Sequence, residues 1–325
     1  MSLHRRTVVA LAGAALAAGA RAQGYSTRPV VWIVPFPAGG PTDALARDVA
    51  AHVGAALGQT ILIENVAGAG GTVGAARAAQ AAPDGYTLLV GHLGFMAAAP
   101  SLYRTLGYDP LQDFDPVFRF PDTPLVLLVA RQSPFGNAEA LIAFARRHPG
   151  RLNIGNAGLG STSHLAAALF AQRAGIEATS VPYKGTAQAL TDLMAGQIDA
   201  VFDQSNTALS ALAGGRLRAI GLTSAQDLPQ FPGVPALGRR LLPDFEMATW
   251  YGVYAPRGTP PDVVQRLYRA YARAMEDVAW KRQLADQGIR LLPDAQYAPD
   301  ALARHTAAEV RSWRRVVTQA RIVLD

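Results

Sequence analysis

Apolar and polar positions alternate along the chain in a pattern that predicts short strands separated by helices. Short apolar runs bounded by Gly, Pro or polar residues predict strands at 30–34, 60–64, 86–90, 125–130, 152–155, 179–182, 198–202, 217–222 and 249–255. The run at 125–130 has no polar alternation, which is typical of a strand buried on both faces. Because helical patterns follow most of these runs, the sequence predicts an α/β fold with parallel sheets.

The order of the elements also predicts two domains. One α/β block precedes residue 125 and a second follows it, whereas the last part of the chain holds helices and no further strand. We expect these helices to pack on the first block, so that the chain crosses between blocks near 125–130 and 249–255. Such an arrangement is a hinge with a ligand cleft between the halves. The predicted division is domain 1 at 23–126 and 253–325, and domain 2 at 127–252.

Residues 1–22 have the pattern of a cleavable secretory signal peptide. Arg5 and Arg6 precede an apolar run that is too short to span a membrane, and small residues before Gln23 predict cleavage there. The two arginines and the Thr-Val-Val that follows also resemble a twin-arginine signal, so both export routes stay open. The expected location of the mature chain is the periplasm.

Composition excludes several classes of function. The chain has 30 Lys and Arg against 24 Asp and Glu, a net charge of +6, and removal of residues 1–22 leaves +3. It has no block of basic residues, so we expect no nucleic-acid partner. The absence of cysteine excludes disulfides, thiolate metal ligands and Cys nucleophiles. Its six histidines show no ligand spacing, so we expect neither a metal site nor a cofactor.

The first candidate site is the loop at 36–43, here called loop one, between a predicted strand and a helix opening at Thr42 or Asp43. Free amides and the positive end of the helix dipole favour an anion at such a position. We therefore predict that loop one binds a carboxylate, although an ordinary turn capped by Thr42 explains the same residues equally well. The candidate contacts are Phe36, Ala38, Gly39, Gly40, Thr42 and Asp43.

A second strand–glycine–helix unit, loop two, occupies 155–164. Its three glycines, one asparagine and several hydroxyls before a helix supply many hydrogen-bond donors. The candidate contacts are Asn156, Gly158, Ser161 and Thr162. A dinucleotide-binding fingerprint fits less well, because the third glycine and the acidic residue after the next strand are absent.

Further polar residues follow strands that should end at the same sheet edge as loop two. Tyr183 and Lys184 precede a helix, and Lys184 can offer charge to an acid or lie solvated in a turn. Asp203 ends a strand, where it can bind a ligand ammonium or serve the next turn.

Ser161 and His164 raise the alternative of a serine hydrolase. The two residues lie three apart on one predicted helix, but no orienting carboxylate or oxyanion hole is evident. The segment is also not a G-x-S-x-G elbow. His164 is better explained as a packing or hydrogen-bonding residue.

Six segments, in the same order along the chain, resemble the Bug-type solute receptors of tripartite tricarboxylate transporters. The matching segments are VPFPAGGPTD (34–43), ENVAGAGGTVGA (64–75), PDGYTLL (83–89), GLGSTSHL (158–165), VPYKGTAQALTDLMAGQID (181–199) and WYGVYAPRGTP (250–260). The resemblance implies a two-domain, type II periplasmic-binding-protein fold. It also implies that loops one and two hold a small carboxylate without an arginine.

The same resemblance implies partners and a place for selectivity. We expect a monomer that delivers its ligand to the membrane permease subunits of a tripartite transporter, or that serves sensing. The region of His92, which varies among such receptors, is the expected place for ligand selectivity.

Asn156 stands where serine is common in the family, and its amide can still donate. Phe36 and Phe95 suit an aromatic or aliphatic acid, whereas Asp203 suits an amino acid, so the identity of the ligand stays open.

Overall fold

The computed structural model describes residues 28–320, which form two α/β halves around two separate sheets. The predicted signal peptide at 1–22 lies outside the described residues. The strands are β1 (Val30–Val34), β2 (Ile61–Asn65), β3 (Thr87–His92), β4 (Phe114–Arg119), β5 (Thr123–Ala130), β6 (Leu152–Asn156), β7 (Ala178–Pro182), β8 (Ala200–Gln204), β9 (Leu217–Leu222), β10 (Ala248–Thr249) and β11 (Tyr251–Pro256).

The helices follow the strands in regular alternation through most of the described chain. They are α1 (Pro41–Leu57), α2 (Thr72–Ala79), α3 (Ala99–Leu102), α4 (Ala138–Arg147), α5 (Thr162–Ala174), α6 (Thr186–Met194), α7 (Ser205–Ala213), α8 (Leu237–Arg240), α9 (Pro261–Ala274), α10 (Val278–Asp286) and α11 (Pro299–Ala320). Among these helices of residues 28–320, none combines the length and apolar character that crossing a bilayer requires.

The first sheet has the order β2-β1-β3-β11-β4, with β1 parallel to β2 and β3. Strand β11 returns from far along the chain and pairs antiparallel with β3 and β4. Successive side chains of β1 face opposite layers, as the twofold period of a strand requires. Trp32 and Val34 pack with apolar residues of α1 and α9, whereas Ile33 packs in the layer that contains Phe95.

The second sheet has the order β10-β5-β8-β6-β7, and β9 also pairs with β5. Strand β6 runs parallel to β7 and β8, whereas β5 runs antiparallel to β8, β9 and β10. Every residue of β5 is buried, which agrees with the unbroken apolar run in its sequence. Parallel neighbours place the carboxyl ends of β6 and β8 at one edge of this sheet, and α5 and α7 begin there.

The chain passes twice between the sheets, at residues 120–122 and at Trp250. Strand β5 begins at Thr123 and lies wholly within the second sheet, and Trp250 lies within the crossing segment expected at 249–255. The helices after the second crossing return to the first half, where α9 packs on α1 and β4. The assignment of domain limits to particular residues stays a prediction.

A buried ion pair holds the first crossing in place. Arg119, with 8% of its side chain exposed, donates to the 4%-exposed Asp122 at 2.7 Å. Arg290 donates to the other oxygen of Asp122, and the two residues also exchange backbone hydrogen bonds. The crossing is therefore tied to the segment that follows α10.

Asp122→Ala should lower the free energy of unfolding by about 3–5 kcal/mol, because it leaves the buried Arg119 cation without its partner. Glu64→Ala is the matched control: it removes an exposed ion pair with Arg77 and should cost under about 1 kcal/mol. Urea unfolding of both variants measures the difference. Equal losses in the two variants would contradict this role for the buried pair.

Candidate functional site

A cavity of about 190 Å³ lies between the two halves, and residues of both line it. From the first half these are Phe36, Pro37, Ala38, Gly40, Pro41, Thr42 and His92. From the second half they are Leu125, Ala157, Ser161, Thr162, Ser163, Gly185, Thr186, Ala187, Gln188, Phe202, Asp203 and Gln204. Loops one and two thus meet across the same cavity.

Four helices begin at this cavity. The residues that precede α1, α5, α6 and α7 are Gly40, Ser161, Gly185 and Gln204, and all four line it. The first amides of a helix have no acceptor within that helix, and its dipole is positive at the same end. The cavity therefore receives positive potential from backbone groups of both halves.

In loop one, α1 begins at Pro41 with Gly40 as N-cap, so the expected start at Thr42 or Asp43 is corrected by one or two residues. Proline suits the first helical position, because an amide N–H there has no acceptor within the helix. The absence of this N–H in proline therefore removes no hydrogen bond. The Thr42 side chain does not cap the helix and lines the cavity instead.

Asp43, a predicted ligand contact, points away from the cavity and organises loop one. Its carboxylate accepts from the Gly39 amide and from Arg47 Nε, each at 2.9 Å, and from Asn65 Nδ2. Burial opposes ionisation of Asp43, but these hydrogen bonds outweigh it and lower the pKa of the carboxyl. Asp43 and Gly39 do not line the cavity, so the structure places them in its support rather than on its wall.

In loop two, Ser161 caps α5 by accepting a hydrogen bond from the His164 amide. Asn156 and Gly158 were predicted as ligand contacts, but neither lines the cavity. Asn156 Oδ1 accepts from the Gly158 amide at 3.0 Å, and its Nδ2 donates to Ser180 Oγ at 2.9 Å. Asn156 therefore uses both ends of its amide to shape the loop.

Thr162 is the residue of loop two whose bonding is incomplete. Its Oγ1 is buried and has no hydrogen-bond partner among residues 28–320, although the residue lines the cavity. Buried hydroxyls in folded proteins nearly always have a partner. An unpaired hydroxyl at the first position of α5 is therefore suited to receive a polar group of a ligand.

A third loop, after β7, contributes residues that sequence reasoning missed. The predicted contact Tyr183 does not line the cavity, because its hydroxyl donates to Asp192 at 2.8 Å. Lys184 does not line it either. The lining residues are instead those of the α6 N-terminus, 185–188. The available signal was Gly185-Thr186, which repeats the strand–glycine–helix order of loops one and two.

A chain of hydrogen bonds joins the two halves at the back of the cavity. Tyr251, on the strand that follows the second crossing, donates to Gln204 Oε1 at 2.7 Å. Its oxygen lies 3.2 Å from Thr42 Oγ1, and since the tyrosine proton is engaged, Thr42 is the donor. The sequence predicted neither Gln204 nor Tyr251 as part of the site. Tyr251 has the sequence character of an ordinary core aromatic residue.

His92 lies at the end of β3 in a wholly aromatic setting. Its ring stacks on Phe36 at 4.9 Å and lies 4.6 Å from the ring of Phe95. Nδ1 accepts from the Gly94 amide at 2.8 Å, so the proton of the neutral ring is on Nε2. Burial lowers the pKa of His92 to about 3. His92 thus brings one N–H donor to the cavity wall and no charge.

Asp203 lines the cavity at the end of β8 and is 1% exposed. Both its oxygens lie 2.9 Å from Thr207 Oγ1. Burial raises the pKa of Asp203 to about 7. No lysine or arginine lines the cavity within the described chain, so helix N-termini rather than cationic side chains provide its positive potential.

The two halves touch around the cavity through backbone and small residues. Gly70 packs against the carbonyl of Leu159, leaving no room for a side chain, and Gly185 packs against Pro37. The Tyr103 hydroxyl lies within hydrogen-bond distance of the carbonyls of Ala69 and Leu159, at 3.2 and 3.3 Å. The described conformation is therefore closed.

Ser161 and His164 do not form the nucleophile–base pair that a serine hydrolase needs. The His164 ring accepts from the Gly160 amide at 3.2 Å, whereas Ser161 Oγ is engaged with the His164 amide and with Ser163. Burial lowers the pKa of His164. Within residues 28–320 no group of His, Asp and Glu has the geometry of a metal site.

Comparison with known proteins identifies relatives over nearly the whole chain. Residues 45–322 match the tripartite tricarboxylate transporter family receptor. BugT of Bordetella pertussis is 35% identical, over 95% of this chain and 94% of BugT. MatC from Rhodopseudomonas palustris, solved with bound malate, is 39% identical with a TM-score of 0.85, over 90% of this chain and 99% of MatC.

A second protein of R. palustris, solved with adipate, is 35% identical with a TM-score of 0.87, over 93% of this chain and all of that chain. These matches confirm the predicted two-domain fold and define the class, a periplasmic-binding-protein type of solute receptor, which is not a class of enzymes. Within that class the chain belongs to the tripartite tricarboxylate transporter receptor family, as its Bug-like motifs indicated.

Ser161→Ala should lower the free energy of unfolding by about 1 kcal/mol, because α5 loses its N-cap. Ser224→Ala is the control, since Ser224 lies half-buried in a bend, its hydrogen bond to the Gln226 carbonyl is exposed, and its loss should be close to neutral. Denaturant unfolding measures both variants. If Ser161→Ala proves as stable as the wild-type chain, the cap contributes nothing.

Proposed function

We propose that this receptor captures a small carboxylate between the helix N-termini of its two halves. The single observation that carries the proposal is the convergence of four helix N-termini on one buried cavity without lysine or arginine among its described residues. Such a cavity offers an anion several amide donors at once, and a helix N-terminus alone stabilises an anion by about 0.3–1 kcal/mol.

The hydroxyls of the cavity support an oxygen-rich ligand. Thr162 Oγ1 lacks a partner within the described residues, and the neutral ring of His92 supplies a donor from the opposite half. Carboxylate oxygens accept several hydrogen bonds each and suit donors that arrive from two sides. The ligand would thereby join loop one to loop two and favour the closed conformation.

The walls between these donors are mostly apolar. Phe36, Leu125 and Phe202 line the cavity together with the prolines of loop one. A carboxylate with a short carbon chain fits this division between polar ends and apolar walls. The relatives solved with malate and with adipate are consistent with this class of ligand.

Family membership supports the rest of the proposal. A receptor of this family would act in the periplasm after export by residues 1–22, as a monomer, and would present its ligand to the membrane permease subunits of a tripartite transporter. The alternative to delivery is that the receptor senses the same acid, bound in the same cleft.

The proposal predicts that small carboxylates stabilise protein that has been unfolded, dialysed and refolded to remove bound ligand. An acid present at 100 times its Kd should add about 2.7 kcal/mol to the free energy of unfolding. Thermal shift against mono-, di- and tricarboxylates and amino acids, followed by calorimetry, tests this. If no acid stabilises the refolded protein, the proposal is wrong.

Thr162→Val should weaken binding of the best acid about tenfold, equivalent to about 1.4 kcal/mol, because it removes an unpartnered hydroxyl from a residue of the cavity wall. The matched control is Thr191→Val, since Thr191 lies exposed on α6 and donates to the Ala187 carbonyl. Calorimetric titration gives both affinities. Unchanged affinity in Thr162→Val would exclude Thr162 from the ligand contacts.

A further inference from the structure

Asp203 is the one residue among those described around the cavity that can carry formal charge near neutral pH. It is 1% exposed, and no lysine or arginine of the described chain pairs with it. A single Thr207 proton is shared between its two oxygens, and the Gln204 amide is a further donor. A carboxylate can accept about four hydrogen bonds, so Asp203, which lines the cavity, has acceptor capacity that these two donors do not use.

The position of Asp203 also decides which helices are free for a ligand. It directly precedes Gln204, the N-cap of α7, and Thr207 lies in the first turn of that helix. The positive end of α7 is therefore engaged by the protein's own carboxyl. The N-termini of α1, α5 and α6 are left for an external carboxylate.

Two acidic groups would then share one cavity of about 190 Å³, the ligand carboxylate at three helix N-termini and Asp203 at the fourth. A second carboxylate on the ligand would meet a like charge without a neighbouring cation. Two carboxylates at short range disfavour each other's ionised form, whereas an ammonium group beside a carboxylate favours its ionised form.

We infer that Asp203 selects ligands by charge: it favours a carboxylate that also carries an ammonium group, and it admits a second carboxylate only by taking up a proton. The inference rests on the proposed function, because it concerns the far end of a ligand whose first carboxylate is already bound. It assigns specificity to a residue of the second half, whereas sequence reasoning placed it near His92.

Other titratable groups around Asp203 leave this assignment intact. Strands β5 and β6 and helix α7 carry none. Helix α5 carries His164 and the exposed Arg173, and α6 carries Asp192, which accepts from Tyr183. Across the cavity, burial lowers the pKa of His92 to about 3 and raises the pKa of Tyr251, so both stay neutral between pH 6 and 9.

The direction of the pH dependence follows from burial, which raises the pKa of Asp203 to about 7 in the free protein. Below that pH the carboxyl is protonated and a diacid binds without further proton uptake. Above it, each bound diacid takes up one proton, so diacid affinity falls about tenfold per pH unit. Affinity for an amino acid rises through pH 7 and then levels off, because Asp203, the partner of the ligand ammonium, becomes charged.

The test compares three ligands of equal carbon number, from three to six carbons: the monoacid, the ω-amino acid and the diacid. In the wild-type chain at pH 8, the best ω-amino acid should bind at least about tenfold tighter than the matching diacid. In Asp203→Asn, which keeps an acceptor for Thr207, the two should agree within about threefold. Calorimetry in two buffers of different ionisation enthalpy should show uptake of a proton with the diacid in wild type only.

Asp192→Asn is the control, since it removes a carboxylate of the same half that does not line the cavity, and it should keep the wild-type preference. The inference is overturned if Asp203→Asn keeps that preference, or if wild type binds diacids without proton uptake. If Asp203→Asn fails to fold, the calorimetric measurement of proton uptake by the wild-type chain with the diacid decides whether the inference holds. If wild type binds no acid at all, the proposed function itself fails, which is a different result.

Discussion

The amides at the first turns of α1, α5, α6 and α7 have no acceptor within their own helices, and the fold brings all four ends to one place. Other features of the cleft follow from this constraint. The glycines of the loops let the backbone approach a ligand, the Asn156 amide and the Asp43 carboxylate shape those loops, and the cavity needs no basic side chain. An anion held in this way interacts with dipoles fixed by the fold, which lose no side-chain entropy on binding.

The position of these helix ends depends on the two crossings between the sheets. One is fixed by the buried pair of Arg119 and Asp122, and the other leads directly into Tyr251, which bonds to residues of both halves. The crossings and the back of the cavity are thus parts of one structure. A change at either crossing would alter the distance between the helix N-termini, and with it the shape of the site.

Most strands, and the pairing of loops one and two, could be predicted from the sequence, because buried strands and glycine loops leave local signals. Thr42, Ser161 and Thr162 line the cavity, as the loop patterns suggested. Asp43 and Asn156 do not line it and bond instead to residues that shape the two loops. The sequence shows which polar groups a loop has but not where they point. Gln204 and Tyr251 had no local signal, because their pairing spans 47 residues. The second crossing, at Trp250, lies within the segment expected from the sequence, 249–255, whereas the first lies a few residues before the expected segment 125–130.

The contact between Gly70 and the Leu159 carbonyl is made by the main chain of one half and the main chain of the other. The residues that form the cavity walls, such as His92 and Phe202, take no part in it. This contact can therefore persist when a wall side chain such as that of His92 or Phe202 is exchanged, whereas Pro37, Thr42 and Gln204 both line the cavity and join the halves.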